Sequence, residues 1–362
     1  MSENEKFVEN RSEILFLYDV KDANPNGDPL DDNKPRMDEE TEINLVTDVR
    51  LKRTVRDYII DYKNQNIFIK DVRGPENYLY TAKKAAEDYA PIENQENQEE
   101  KYIKYESVEQ FRESFITNIL NECIDVRLFG ATIPTDKIKY SSDGTSLTEK
   151  SIGPISLTGP IQFRTGRSLH KVDLTFIKGT GAFAANDKSM QSTFREEYVL
   201  PYSLIAFYGV INENAAKDTK LTKEDLNLLF EGMWFGTKNL ISRSKFGQMP
   251  RFLLQIEYKE KNYFIGDLNH KISLNGVDNE KSLRKISECQ IDASKLLDAI
   301  VTNKEKISKI SYKVDEDVVF KDGNSFKSLL ESKFGENDFS EISLDENSFE
   351  WDCCLSFEAT EN

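Results

Sequence analysis

Four cations crowd the start of one amphipathic stretch. In "TDVRLKRTVRDYIIDYK", Arg50, Lys52, Arg53 and Arg56 fall in the first two turns of a helix predicted by the spacing of Leu51, Val55, Tyr58, Ile59 and Tyr62. Thr47 has the side chain of an N-cap. Positive charge at the positive end of a helix dipole is unfavourable by ~0.3–1 kcal/mol per residue unless something offsets it. A phosphate offsets it, meeting free amides and guanidinium groups together. Pairing with Asp48 and Asp57 offsets it too, and the helix alone leaves both readings open.

The segment leading into that helix, "YDVKDANPNGDPLDDN", places Asp22, Asn24, Asn26 and Gly27 at the first, third, fifth and sixth positions of a calcium loop. The twelfth position is Asn33 where a bidentate Glu belongs, and Pro25 and Pro29 remove two amide donors. The preceding "EILFLYDV" reads as a strand, where an EF-hand requires a helix. The better reading is a phosphate-binding rim, with Asn24 and Asn26 as donors and Gly27 allowing close backbone approach.

A second cluster, Gln162, Arg164, Arg167, Ser168 and Lys171, follows "PISLTGPIQFRTGR", whose alternation predicts a half-buried strand with a polar face. Cations and short donors at this density suit a sugar-phosphate track. A third group, Met190, Phe194 and Arg195, lies in the glycine-bearing "LTFIKGTGAFAANDKSMQSTFREE", a projecting hairpin whose apolar side chains could wedge between bases or pack on its own base. Catalytic constellations are missing: His170 and His270 have no evident partner carboxylate, and no nucleophile elbow, P-loop, HExxH or dinucleotide fingerprint occurs. Cys123, Cys289, Cys353 and Cys354 lack metal-site or disulfide spacing, so no cofactor or metal is expected.

The elements that must position these groups run strand, helix, strand, strand, helix, strand. The last three are "YVLPYSLIAFYGVIN", "LTKEDLNLLFEGMW" with Thr222 as cap and Asp225 three on, and "RFLLQIEY". This βαββαβ order predicts an α+β, ferredoxin-like or RNA-recognition-motif fold, which does not by itself specify function. An insertion separates the first helix from the second strand, with a helical stretch "VEQFRESFITNILNECIDVRLFG" and a polar run "PIENQENQEEK".

The net charge of −16 in 362 residues argues at first against nucleic acid, but it is unevenly spread. Residues 315–362 hold 14 acids and 3 bases, net −11, whereas 161–195 hold 6 bases and 2 acids, net +4. The polar opening "MSENEKFVENR" does not read as a secretory signal, and "VLPYSLIAFYGVI" is too short to span a bilayer. A cytoplasmic protein with no membrane partner is expected.

Five motifs in order, "YDVKDANPNGDP", "LVTDVRLKRTVRDY", "DVRLFGATIP", "LTGPIQFRTGRSLHK" and "SRSKFGQMPRFLLQIEY", resemble the guide-RNA-binding backbone subunit of type I CRISPR Cascade complexes, subtype I-B nearest and I-C second. The resemblance runs from about Glu13 to Tyr258. It implies a palm with the RNA-recognition-motif fold, a large finger insertion and a thumb β-hairpin. By position these are 1–63, 151–171 and 198–260 for the palm, 64–150 for the finger and 172–197 for the thumb, with 261–362 a C-terminal segment ending in the acidic tail. It also implies copies stacked along one CRISPR guide RNA, presentation of that guide to target DNA, and other Cascade subunits as partners. The palm contacts carried over are Asn24, Asn26, Arg50, Arg53, Gln162, Arg164, Arg167 and Lys171, and the thumb contacts lie within Lys178 to Arg195. Arg243 and Lys245, in the fifth motif, join the candidate RNA contacts. Relatives usually carry a glycine just before "LVTDVR", where this chain has Glu42, Ile43 and Asn44. A non-catalytic scaffold follows. The alternative is a metal-dependent ribonuclease of the related type III kind, with Asp187 as the acid to test. Common to both is the expectation that the helix-start cations and the strand cations converge in a single trough, with Arg53 and Arg164 on the same side.

Overall fold

The computed structural model describes residues 7–71, 79, 81–90, 105–135, 138–140, 148–150, 153–184, 192–335 and 337–344. Strand β1 (Ser12–Ala23) runs through the middle of the main sheet. A strap of loop and short strands then leads to β2 (Ile43–Val46) and helix α1 (Asp48–Lys63). Next come α2 (Val108–Glu122), α3 (Ile124–Phe129), β3 (Ile161–Phe163), β4 (Gly166–Ser168), β5 (Thr175–Ala184) and β6 (Ser192–Ile211). Helix α4 (Lys223–Lys238) and strands β7 (Gln248–Tyr258), β8 (Ile307–Val314) and β9 (Phe339–Glu341) complete the frame.

The sheet order is β9-β8-β7-β1-β6-β4-β2 and then the short strand Met37–Asp38, with β3 and β5 also paired to β6. Every pairing in this path is antiparallel except β8 with β9. Alternation along β1 decides the layers. Ile14, Phe16, Tyr18 and Val20 face one core with Leu51, Val55, Tyr58 and Ile59 of α1 and Leu229, Phe230 and Met233 of α4. Leu15 and Leu17 face a second core with Leu204, Tyr208, Phe252 and Leu254. That second face is roofed by the C-terminal segment through Leu268, Ile272, Ile291, Leu296, Ile300, Phe320 and Phe326. A third, smaller core unites Phe68, Phe111, Phe115, Ile119 and Ile133 in the insertion.

Both capped helices form where the sequence places them. Thr47 accepts from the Arg50 amide, and Thr222 with Asp225 closes a reciprocal capping box. Two expectations need correction. The stretch 155–164 is not one strand: Ile155–Thr158 pairs with Gly130–Ile133 in a separate ribbon, and β3 starts afresh after Gly159 and Pro160. Gly159 packs against the Phe129 carbonyl, where a Cβ would sit 2.1 Å from its oxygen, and Pro160 has no amide to give. The helical stretch in the insertion likewise breaks at Cys123, whose φ of −110° and ψ of 99° are extended. Among the described residues no helix is long and apolar enough to cross a membrane.

Candidate nucleic-acid interface

The strap between β1 and α1 is built from its own polar side chains. Asn24 Nδ2 donates to the Asn33 carbonyl at 2.6 Å, and Asn26 Oδ1 accepts from both the amide (2.9 Å) and the hydroxyl (3.0 Å) of Thr47. Asn26 therefore holds the N-cap that holds the helix. Gly27 permits a close approach within the strap, since a Cβ there would lie 2.1 Å from Asn33 Oδ1. The Asn26 oxygen, at the fifth position of the would-be calcium loop, is thus committed to the helix cap, which counts against the calcium reading.

Beside the head of α1 the polar bookkeeping stays open. Lys245 Nζ donates to the Asn24 carbonyl at 2.6 Å, and burial together with the neighbouring Arg50 pushes its pKa down to about 8. Arg50 is itself pulled down by burial, with Asp57 3.9 Å away opposing. Four buried side-chain polar atoms among the described residues have no hydrogen-bond partner; three of them are Asn24 Oδ1, Arg36 Nε and Arg50 Nε. A buried donor without an acceptor costs about 1–3 kcal/mol. The strap and the helix start thus hold two guanidinium donors without acceptors and a lysine whose charge is disfavoured, groups that an anion would satisfy.

The second cluster forms a row along β3, β4 and the segment after them. Gln162, Arg164, Arg167 and Lys171 are exposed, while the residues between them, Phe163, Gly166, Ser168 and His170, are buried. Arg164 lies over the Tyr208 ring, 5.4 Å from its centroid, and pairs with Asp267. Arg167 pairs with Asp38 at 3.2 Å, and Lys171 with Glu42 at 3.3 Å. Hydrogen bonds to Thr41 and Arg167 hold the Asp38 carboxyl below its ordinary range, and Lys281 with Lys171 does the same for Glu42. Gln162 Nε2 donates to the Gly159 carbonyl.

The single trough does not form. Tyr208 and Leu268 belong to the core under the C-terminal segment, so Arg164 lies on that face, whereas Arg53 rides on α1 over the opposite face and pairs with Asp57. The two groups meet only around the edge: Arg167 is in register with Leu45, two residues before Thr47. Alternation put the strand cations on one face, but nothing local told which face α1 covers.

Other candidates are turned inward. Arg56 is buried against Asp125 at 2.9 Å, and that carboxylate also accepts the Phe68 and Ile69 amides. Ser168 is buried, accepting from the Asn44 amide and donating to the His170 carbonyl. His170, its pKa lowered by burial, accepts the Leu204 amide at Nε2, so its role is to fix the edge. Lys52 pairs with Asp48, whereas Arg243 is exposed and reaches Glu197 at the base of the hairpin. In that hairpin Phe194 and Arg195 are in register with Thr180 and Gly179; Met190 and Asp187 lie outside the described residues. The sequence reading missed Arg36 and the acids Asp38, Glu42 and Asp267. The ion pairs of those acids span 103 to 129 residues, beyond any local signal.

A family profile for CRISPR-associated protein Cas7 matches residues 10–294. The chain belongs to this family. A curated relative, "CRISPR-associated protein Cas7" of Haloferax volcanii, is 31% identical over 309 residues, spanning 83% of this chain and 86% of the relative. Among solved structures, a chain of a "CRISPR RNA-guided surveillance complex, pre-nicking" aligns with TM-score 0.48 and 12% identity over 89% of this chain and 98% of that one. A chain of another "CRISPR RNA-guided surveillance complex" aligns with TM-score 0.44 and 12% identity over 89% and 97%. Membership in the Cas7 family rests on the two sequence matches. The profile covers the strap, the cation row and the Asp267 turn, and ends at Ser294 in the C-terminal segment.

Proposed function

We propose that this Cas7-family chain is the guide-RNA-binding backbone subunit of a type I CRISPR surveillance complex, subtype I-B nearest. Copies pack along one guide RNA and present it for pairing with target DNA, with other Cascade subunits at the ends. The carrying observation is the family match across 10–294 combined with the exposed row Gln162, Arg164, Arg167 and Lys171 inside it. In this reading the protein contacts backbone and shape while base pairing reads sequence, as in guided recognition generally.

The strand order β7-β1-β6-β3/β4 with α1 and α4 on one face supports a ferredoxin-like palm. The insertion with its own core is then the finger, and the β5–β6 hairpin the thumb. Because the C-terminal segment covers the other sheet face, the palm takes RNA at its edge and at the head of α1, not across the sheet. The role is a scaffold without chemistry of its own, in the cytoplasm.

The test is charge reversal of the row, Arg164→Glu, Arg167→Glu and Lys171→Glu together. The variant is expected to lose copurifying RNA, read as the 260/280 nm absorbance ratio, while its thermal melt stays close to wild type, because exposed ion pairs are worth only about 0–1 kcal/mol each. Wild-type RNA content in a folded variant overturns the reading.

A further inference from the structure

Each exposed cation of the row is already answered by a fixed acid from another part of the chain. Asp267 meets Arg164, Asp38 meets Arg167, and Glu42 meets Lys171. These acids are not loose side chains that fall on the nearest charge. The Asp267 turn is pinned from below: the buried Glu13 accepts the Ile265 and Gly266 amides at 2.8 Å each and the hydroxyls of Tyr208 and Tyr258. Tyr208 is also the ring under Arg164. Glu42 is tied down by Lys281, which reaches Asp173 as well, and its carbonyl accepts the Val172 amide. Asp38 ends a short strand in register with Ile43, and its carbonyl accepts the Glu42 amide at 2.7 Å. Two of the three, Glu42 with φ 61° and Asp267 with φ 52°, occupy left-handed backbone that favours glycine. Non-glycine residues held there are uncommon and cluster at functional sites.

We propose that Asp38, Glu42 and Asp267 are specificity-setting residues of the RNA row, acting as resident counter-charges that a nucleic acid must displace. This rests on the RNA-binding reading above. A phosphate that takes Arg167 leaves Asp38 unpaired beside the RNA, and likewise for the other two pairs. Each unpaired carboxylate recruits a cation, cancelling part of the counterion release that drives phosphate binding. A lone phosphate or a short, loosely held strand thus gains little, whereas a strand engaging the whole row, the head of α1 and the neighbouring copies gains enough to displace all three acids. The row thereby favours a seated guide over stray polyanion.

The experiment compares the full chain with Asp38→Asn, Glu42→Gln and Asp267→Asn combined, binding a fluorescein-labelled, unstructured single-stranded RNA in a salt titration. The triple variant is expected to bind on the order of tenfold more tightly, three weak exposed pairs having been released. Its log–log salt slope is expected to be steeper by up to about 2, at ~0.7 per phosphate on a single strand. Unchanged or weaker binding overturns the inference, as does tighter binding at the wild-type slope. The row reversal Arg164→Glu, Arg167→Glu and Lys171→Glu runs alongside: if it abolishes binding while the acids have no effect, only this inference falls. If neither set changes binding, the RNA reading of the row falls with it. A melt of each variant confirms folding, and single replacements stand in should the triple variant not fold.

Discussion

Lys245 carries two opposed consequences of its burial. Its folded pKa, about 8, lies below the ordinary lysine value of 10.5, so the folded protein gives up this proton earlier than the unfolded chain. Below pH 8 the lysine is charged in both states and the folded state bears the full cost. Stability from this group therefore rises as pH climbs from 8 to 10.5. Anion binding responds in the opposite sense, because a phosphate beside Arg50 favours the charged amine. RNA affinity of the wild type should fall about tenfold between pH 7 and 9, one pKa unit past the midpoint in free protein. Lys245→Met should bind more weakly at pH 7 and show none of this pH dependence in fluorescence anisotropy. An equal pH response in both proteins would remove Lys245 from the site. Neither the burial nor the Arg50 neighbour was legible locally: "SRSK" reads as an exposed basic turn, and only the fold brings it against Asn24, 221 residues earlier.

At the scale of elements, the helices were the most legible part, because caps and periodicity are local. The α4 box shows where that legibility ends. Thr222 accepts the Asp225 amide while the Asp225 carboxylate accepts the Thr222 amide, as the sequence suggests. The same carboxylate also receives Arg127 from α3 in a two-point pair at 2.7 and 2.9 Å, which ties the insertion to α4 and is invisible in the sequence. The two cap residues should therefore be unequal. Thr222→Ala should cost about 1 kcal/mol, the ordinary loss of a cap. Asp225→Ala should cost about 3–5 kcal/mol, because it also leaves a mostly buried guanidinium without its partner. Denaturant titrations of both variants measure the difference. Equal losses would mean that Arg127 finds other acceptors, and it already donates to the Leu120 and Asn121 carbonyls. The long alternating stretch before Arg164 failed for the complementary reason. Its pattern was right residue by residue, but a Gly–Pro pair let the chain leave one ribbon and enter another without disturbing the alternation.

For the whole molecule, the sheet has two faces to cover, and the helices α1 and α4 cover only one. The sequence from Lys259 onward offered no recognisable element order, yet it is the cover for the other face. A chain ending at Tyr258 would expose Leu15, Leu17, Leu204, Tyr208, Phe252, Leu254 and Ile256 together. That forms a contiguous apolar patch beyond the few hundred Å² a soluble monomer usually shows. It would also strip β7 of β8, leaving a long unpaired edge in the middle of the former sheet. Asp19, its pKa raised by burial, would keep Arg251, but Arg251 would lose Asp315 and Asp317. The truncated chain should therefore aggregate or bind the dye ANS strongly, whereas a chain ending at Leu344, beyond β9, should remain monodisperse with a wild-type melt. The Asp267 turn and the roof are parts of one segment, so on the proposed reading covering the sheet would also keep RNA off that face. A soluble, ANS-silent 1–258 fragment that still binds RNA would show the palm to be self-sufficient and would reopen the sheet face as a binding surface.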